Sequence, residues 1–190
     1  MKPNKKQEDE LSLGKILSRL REEYWRSITE PEEKETRERV ELFTFFLGEE
    51  RYGLDLALSR HLLKIPRIVK LPQTPPYLLG VFNLRGEIVP ALDLRRLFGI
   101  KLSPQTENSR LLVVEARGIT IALYLDRIGD IVLEDLKNLQ ALSGEETGVP
   151  AQYIKGYFRA EVESGKESKM LIYLDLEQLL SSEKLVGFSR

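Results

Sequence analysis

Ser59 and His61, two residues apart, are the pair from which a nucleophile and its base could be assembled, and His61 is the only histidine in the chain. No G-x-S-x-G elbow surrounds Ser59, and neither residue has an evident third partner, so hydrolase chemistry has thin support. Asp55, Asp93, Asp126 and Asp175 each end or follow an apolar run. An Asp at such a place ordinarily caps a turn or short helix through backbone N–H groups rather than forming half of an acid–base pair. Gly165-Lys166 lacks the upstream glycine and the following Ser or Thr of a phosphate loop. With no cysteine and one histidine, thiolate and multi-histidine metal sites are excluded, as is a disulfide framework. The expectation is no enzyme, with no catalytic residue, no metal and no cofactor.

What the sequence offers instead is a turn. Asn83-Leu84-Arg85-Gly86 joins the run LLGVF to EIVPALDL, and Pro72, Pro75 and Pro76 stiffen its approach. An arginine between a turn-forming Asn and a Gly is presented by backbone geometry rather than by a floppy loop. An ordinary hairpin with a solvated arginine is the plainer alternative.

The elements around that turn have a period of two. From Leu42 onward, short runs rich in Val, Ile, Leu, Phe and Tyr alternate with Gly, Pro and charged turns: LFTFFLG, ERYGLDL, YLLGVFNL, EIVPALDL, RLLVVEA, GITIALYLD, DIVLED, YIKGYFRAEV and KMLIYLDLEQLL. They predict a mainly β barrel or sandwich. Helix is confined to short pieces: Leu94 to Phe98, Ala57 to Leu63, part of 134–142, and Leu176 to Leu180. The strands also repeat. Gly80-Val81-Phe82 leads to Leu92-Asp93-Leu94, and Gly156-Tyr157-Phe158 leads to Leu174-Asp175-Leu176. Two similar small barrels joined in one body would explain this, with chance likeness between alternating strands as the alternative.

Ahead of the strands the texture differs. Residues 1–10 are polar, and Leu13, Leu17, Leu20, Tyr24 and Ile28 then mark one face of a helix over about 11–28. That stripe suits packing on its own domain, self-association or partner docking. Residues 29–41 read as a charged linker, which sets a boundary between 1–41 and a domain over 42–190. Lys and Arg total 29 against 30 Asp and Glu, a net charge of −1, so the basic field that drives nucleic-acid binding is missing. No apolar run approaches the roughly 18 to 20 residues that cross a bilayer, and MKPNKKQEDE has no apolar signal core. A soluble cytoplasmic protein without membrane insertion is expected.

The stretch from FTFFLGEERYGLDL through LPQTPPYLLGVFNLRGEIVPALDLRRLFG closely resembles the bacterial chemotaxis coupling family, CheW, in order and spacing. The likeness continues through ALYLDRIGDIV and YIKGYF to MLIYLDLEQLL, over about residues 42–181, and its Gly-Val-x-Asn-Leu-Arg-Gly core is specific. The resemblance implies two five-stranded SH3-like barrels packed side by side and no catalysis. It also implies adaptor work between the cytoplasmic tips of chemoreceptors and the regulatory domain of the CheA histidine kinase. No kinase motif precedes the stretch, so an adaptor rather than a kinase tail is expected. Position by position, Gly80 and Arg85 match the groove and turn that support coupling, and Asn83, Leu84 and Gly86 match the turn's frame. At His61 the family commonly has a Glu that pairs with the turn's arginine. A neutral His can only accept a hydrogen bond there, and a protonated one would repel the guanidinium. A divergent inhibitory or sorting partner that keeps one of the two interfaces is therefore the competing expectation.

Overall fold

Runs such as FTFFL, LLVV and IALYL place apolar residues at consecutive positions, which a strand tolerates where both of its faces are covered. A computed structural model, which describes residues 38–142, 147–159 and 170–182, shows how that coverage arises. One five-stranded sheet, sheet A, has the order β8-β1-β2-β10-β9. Its strands are β1 (Arg39–Leu47), β2 (Glu50–Asp55), β8 (Arg127–Asp135), β9 (Ile154–Arg159) and β10 (Met170–Leu174). The other, sheet B, has the order β3-β6-β7-β5-β4. It comprises β3 (Ser59–Lys64), β4 (Leu78–Leu84), β5 (Glu87–Leu92), β6 (Arg110–Ala116) and β7 (Ile119–Leu125). One-turn helices follow β5 and β10: α1 (Leu94–Phe98) and α2 (Leu176–Leu180).

Three apolar clusters result. Leu42, Phe158, Leu171 and Tyr173 fill the inside of sheet A, and Phe82, Val89, Leu111, Val113 and Tyr124 fill the inside of sheet B. The largest cluster joins the two sheets, with Phe45, Tyr52, Leu54 and Ile172 from one against Leu112, Val114, Leu123 and Leu125 from the other. Each such side chain contributes about 1.5–3 kcal/mol when fully buried, so the sheets have strong reason to stay together. Central strands β1, β6 and β7 serve two cores at once, which is why they read as unbroken apolar runs.

The internal repeat is present, in an exchanged form. Replacing β1 to β5 by β6 to β10, and the reverse, converts one strand order into the other. Yet neither half of the chain makes a sheet alone. β2 pairs in parallel with β10, and β5 with β7, so each half lends its first hairpin to the sheet completed by the other. Each sheet is then drawn toward closure by one antiparallel bridge, Val69 with Val81 and Gln140 with Tyr157. At each bridge the crossing chain passes over a glycine of positive φ, Gly80 (+137°) and Gly156 (+154°). These are the two glycines that mark the repeat.

Two expected elements differ. Of the helix expected over Ala57 to Leu63, only a 3-10 turn at Leu56–Leu58 forms, and Ser59–Lys64 is β3. Arg60, Leu62 and Lys64 are exposed while Ser59, His61 and Leu63 are half-buried, so the period is two even though no β-branched residue marks it. β1 begins at Arg39, which makes the end of the charged stretch 29–41 strand. The stripe Leu13, Leu17, Leu20, Tyr24 and Ile28 lies outside the described residues.

The four aspartates divide into two uses. Asp93 and Asp175 cap α1 and α2, accepting from the Arg95 and Gln178 N–H groups. Asp55 and Asp126 accept side-chain donors across strands, and Asp126 also takes a backbone N–H of the β1–β2 turn. Asp126 takes the Arg95 guanidinium at 2.5 Å and the Ser103 hydroxyl at 2.8 Å on one oxygen, and the Gly48 N–H at 2.7 Å on the other. Arg95 also grips Asp93 with Nε and Nη2 at 2.9 and 2.8 Å and lies 4.2 Å from the Tyr124 ring centre. Burial would lower the guanidinium's pKa, but hydrogen bonds and charge from Asp93, with Asp126, hold it above its ordinary value. Since Gly48 sits in the β1–β2 turn and Arg95 on α1, this network ties sheet A to sheet B.

Asp55 accepts from the Tyr173 hydroxyl at 2.6 Å and from Lys155 at 3.0 Å. Burial, then the Asp55 bond, pushes the Tyr173 hydroxyl up to about 12. Lys155 is lowered by burial but raised above its usual value by Tyr173 and Asp55. Both protonated forms are favoured by folding, so their contribution is complete below about pH 10, where the unfolded groups begin to titrate, and is lost as pH rises toward 12. Thermal melts should therefore fall steeply over that range, and Tyr173→Phe should flatten the fall.

Candidate functional site

The β4–β5 hairpin pairs Leu84 with Glu87, which leaves Arg85-Gly86 as a two-residue loop. Such loops match strand twist when both residues have positive φ, and Arg85 (+55°) and Gly86 (+100°) do. The Asn83 carboxamide oxygen accepts the Gly86 N–H at 2.9 Å and fixes the turn. A left-handed conformation costs a non-glycine residue about 1–2 kcal/mol. Arg85 accepts that strain while exposed, with no hydrogen bond or ion pair among the described residues.

A second Arg-Gly turn shows what an arginine in this conformation does when it serves the fold. Arg117 (+52°) and Gly118 (+74°) join β6 to β7. Arg117, however, donates to Glu177 at 3.1 Å and Ser181 at 3.2 Å on and beside α2. One turn arginine is tied down within the chain, and the other has no such partner among the described residues.

Below Arg85 the hairpin has an apolar outer face. Phe82, Val89 and Ala91 point into the barrel. Val81, Asn83, Ile88 and Pro90 alternate with them and point out. The Val69 bridge extends this face beside Val81, and Ile88 and Val69 are 66% and 56% exposed. Sheet A has a comparable face at edge strand β8, where Ile128, Ile131 and Leu133 are exposed. Isolated surface leucines need no explanation, but two apolar faces on opposite sheets suit protein contacts.

The structure gathers Asn83, Leu84, Arg85 and Gly86 at this turn, with Gly80 on the same strand β4. Gly80 is buried, and an added Cβ would lie 2.2 Å from the Val69 carbonyl oxygen, so its lack of a side chain lets the barrel close. His61 lies opposite Val113 on β3. The pairs Val113–Ala122, Ala122–Ala91 and Ala91–Gly80 continue that row, placing His61 and Gly80 at opposite edges of sheet B. No hydrogen bond or ion pair joins His61 to Arg85. Nor does His61 bond Ser59, whose buried hydroxyl has no partner among the described residues. Among the described residues, no group of three or more His, Cys, Asp or Glu could hold a metal ion, and no helix is long and apolar enough to cross a membrane.

Sequence reasoning missed Val69 and Ile88 because each looks like an ordinary strand residue until the register shows it facing outward. The Arg117-Gly118 turn was legible as a dipeptide, but its bond to Glu177 joins residues 60 positions apart.

A model of the CheW-like domain matches residues 41–184. The chain is 30% identical over 152 residues to the chemotaxis protein CheW of Treponema pallidum, covering 78% of this chain and 86% of that one. With the CheW of Klebsiella aerogenes it shares 28% identity over 145 residues, 76% and 84% of the two chains. The crystal structure of the scaffolding protein TtCheW from Thermoanaerobacter tengcongensis superposes with a TM-score of 0.67 at 28% identity, covering 76% of this chain and 90% of that one. The paired glycines, the Arg85 turn and all of the exchanged sheets but the first two residues of β1 lie within the matched residues, and the chain belongs to the CheW family.

Proposed function

We propose that this chain is a non-enzymatic cytoplasmic adaptor that couples chemoreceptor tips to the regulatory domain of a CheA-type histidine kinase. The observation that carries the reading is Arg85, strained in a left-handed turn with no partner among the described residues, above an apolar face, in a chain of the CheW family. The mechanism is geometric. One partner docks on the hairpin face of sheet B and the other on the exposed β8 face of sheet A, and the shared inter-sheet core holds the two at a fixed separation. In this reading the chain from β1, which begins at Arg39, onward acts as one domain of two subdomains. The stretch before β1, with its stripe from Leu13 to Ile28, is an appended segment for self-association or partner docking.

A second reading is an inhibitory or sorting partner that keeps one interface, and His61 favours it because no bond links His61 to Arg85.

Arg85→Asn separates fold from function. Asn tolerates positive φ, so the variant should gain about 0.5–1 kcal/mol of stability in urea unfolding, while recovery of receptor tips or kinase in a pulldown drops at least about tenfold. Recovery of both at the native level would remove Arg85 from the interface. Loss of one partner only would favour the second reading.

A further inference from the structure

We propose that a cleft on sheet B is a separate binding site, one that takes a large apolar side chain flanked by carboxylates from an acidic segment of a partner protein. The cleft has a volume of about 310 Å³ and lies between the Ile65–Lys70 segment, Leu79 of β4, α1, the Leu102–Gln105 loop and Tyr124 of β7. Neither the Arg85 turn nor the exposed Val69 and Ile88 line it.

Its chemistry is divided. The walls are Ile65, Ile68, Leu79 and Tyr124, all partly or fully buried, with Leu102 at the lip 45% exposed. Asp93 and Arg95 reach the surface of the cleft inside the network already described, in which Arg95 serves both Asp93 and Asp126. The rim keeps two further cations. Lys70 is exposed and makes no hydrogen bond or ion pair among the described residues. Arg96 touches Asp93 only through Nε, at 3.4 Å, and is 40% exposed. A purely apolar guest would leave these cations facing it, and a purely acidic guest would leave the walls bare. A Phe or Leu side chain beside a Glu or Asp satisfies both.

Size selects among such guests. The volume is at the lower end of ligand cavities, which run from about 300 to 1,000 Å³, and a helix about 10–12 Å across cannot enter. One large side chain can, with its neighbouring carboxylate left at the rim near Lys70.

The test uses the full chain with a fluorescein-labelled capped peptide, Ac-Glu-Phe-Glu-Glu-amide, followed by anisotropy. Saturable binding is expected, weakened at least about tenfold by Lys70→Glu and less than about twofold by Lys64→Glu, the same charge change outside the cleft. Both lysines are exposed, and native melting of the variants checks their folding. Peptides with Ser for Phe, or Gln for Glu, should bind at least about tenfold more weakly. The proposal is overturned by no saturation up to millimolar protein, by equal losses in the two lysine variants, or by undiminished binding of the Ser peptide. It is also overturned if free 4-phenylbutyrate binds at the cleft and the peptide does not. No receptor or kinase is present in this experiment, so its failure leaves the coupling reading untouched.

Discussion

Gly80→Ala is expected to cost about 4 kcal/mol or more and to lower the melting temperature by about 10 °C or more. The added methyl would sit 2.2 Å from the Val69 carbonyl oxygen and 2.8 Å from its carbon. Both are backbone atoms, and Val69 is held there by reciprocal bonds with Val81 of 2.8 and 2.9 Å. Relief requires breaking that bridge, which reopens the barrel, and the residue's φ of +137° is itself hostile to any side chain. Gly156→Ala meets one backbone atom, the Gln140 carbonyl oxygen, at 2.5 Å and next the movable Leu139 side chain at 2.8 Å, so a smaller loss is expected. Gly86→Ala has nothing within 4 Å and should cost only its turn strain, about 1 kcal/mol. Urea unfolding of the three variants should rank them in that order. A loss below about 1 kcal/mol for Gly80→Ala would contradict the closure argument.

Arg95→Ala should cost about 3–5 kcal/mol, because it takes the charged partner from Asp126 and leaves the buried Asp93 only the 3.4 Å contact with Arg96 as an ion pair. Asp93 is 1% exposed and accepts both prongs of the guanidinium, and Asp126 loses its charged partner while still bonded to Gly48. Lysine should rescue little. Arg95 reaches Asp93 through two nitrogens and Asp126 through a third, and a single ammonium cannot reproduce that fork. Because Asp126 bridges to the β1–β2 turn, hydrogen exchange should rise at Gly48 in the variant. Stability within about 1 kcal/mol of the native chain would show that the network is dispensable.

Much of this architecture was legible because β sequence patterns are local. The runs at Leu42, Arg110 and Gly118 announced strands, and Asp93 and Asp175 announced the two short helices. The repeat was visible in Gly80 and Gly156. What their spacing could not reveal was the exchange, because strand partnership depends on which hairpins meet through the central core, and Tyr52 beside Ile172 is a pairing across 120 positions. β3 was hidden for another reason: SRHLLK has helix-favouring residues, and only pairing with β6 makes it a strand. At the site, the Asn-Leu-Arg-Gly turn was readable from residue types alone. The freedom of Arg85 was not, since it rests on the other described residues failing to reach it. At Gly80 the residue type was readable but its packing was not: the crossing Val69 backbone leaves no room there for a side chain.

The central claim is that one chain holds two partners together. Immobilised receptor tips should recover the kinase regulatory domain only when this chain is added, and the chain should bind each partner when supplied with it alone. Kinase recovered in amounts that rise with added chain, and that fall at least about tenfold with Arg85→Asn, is the predicted result. A chain that binds receptor tips or kinase but never brings the second partner down with the first would contradict coupling and leave the single-interface reading in its place.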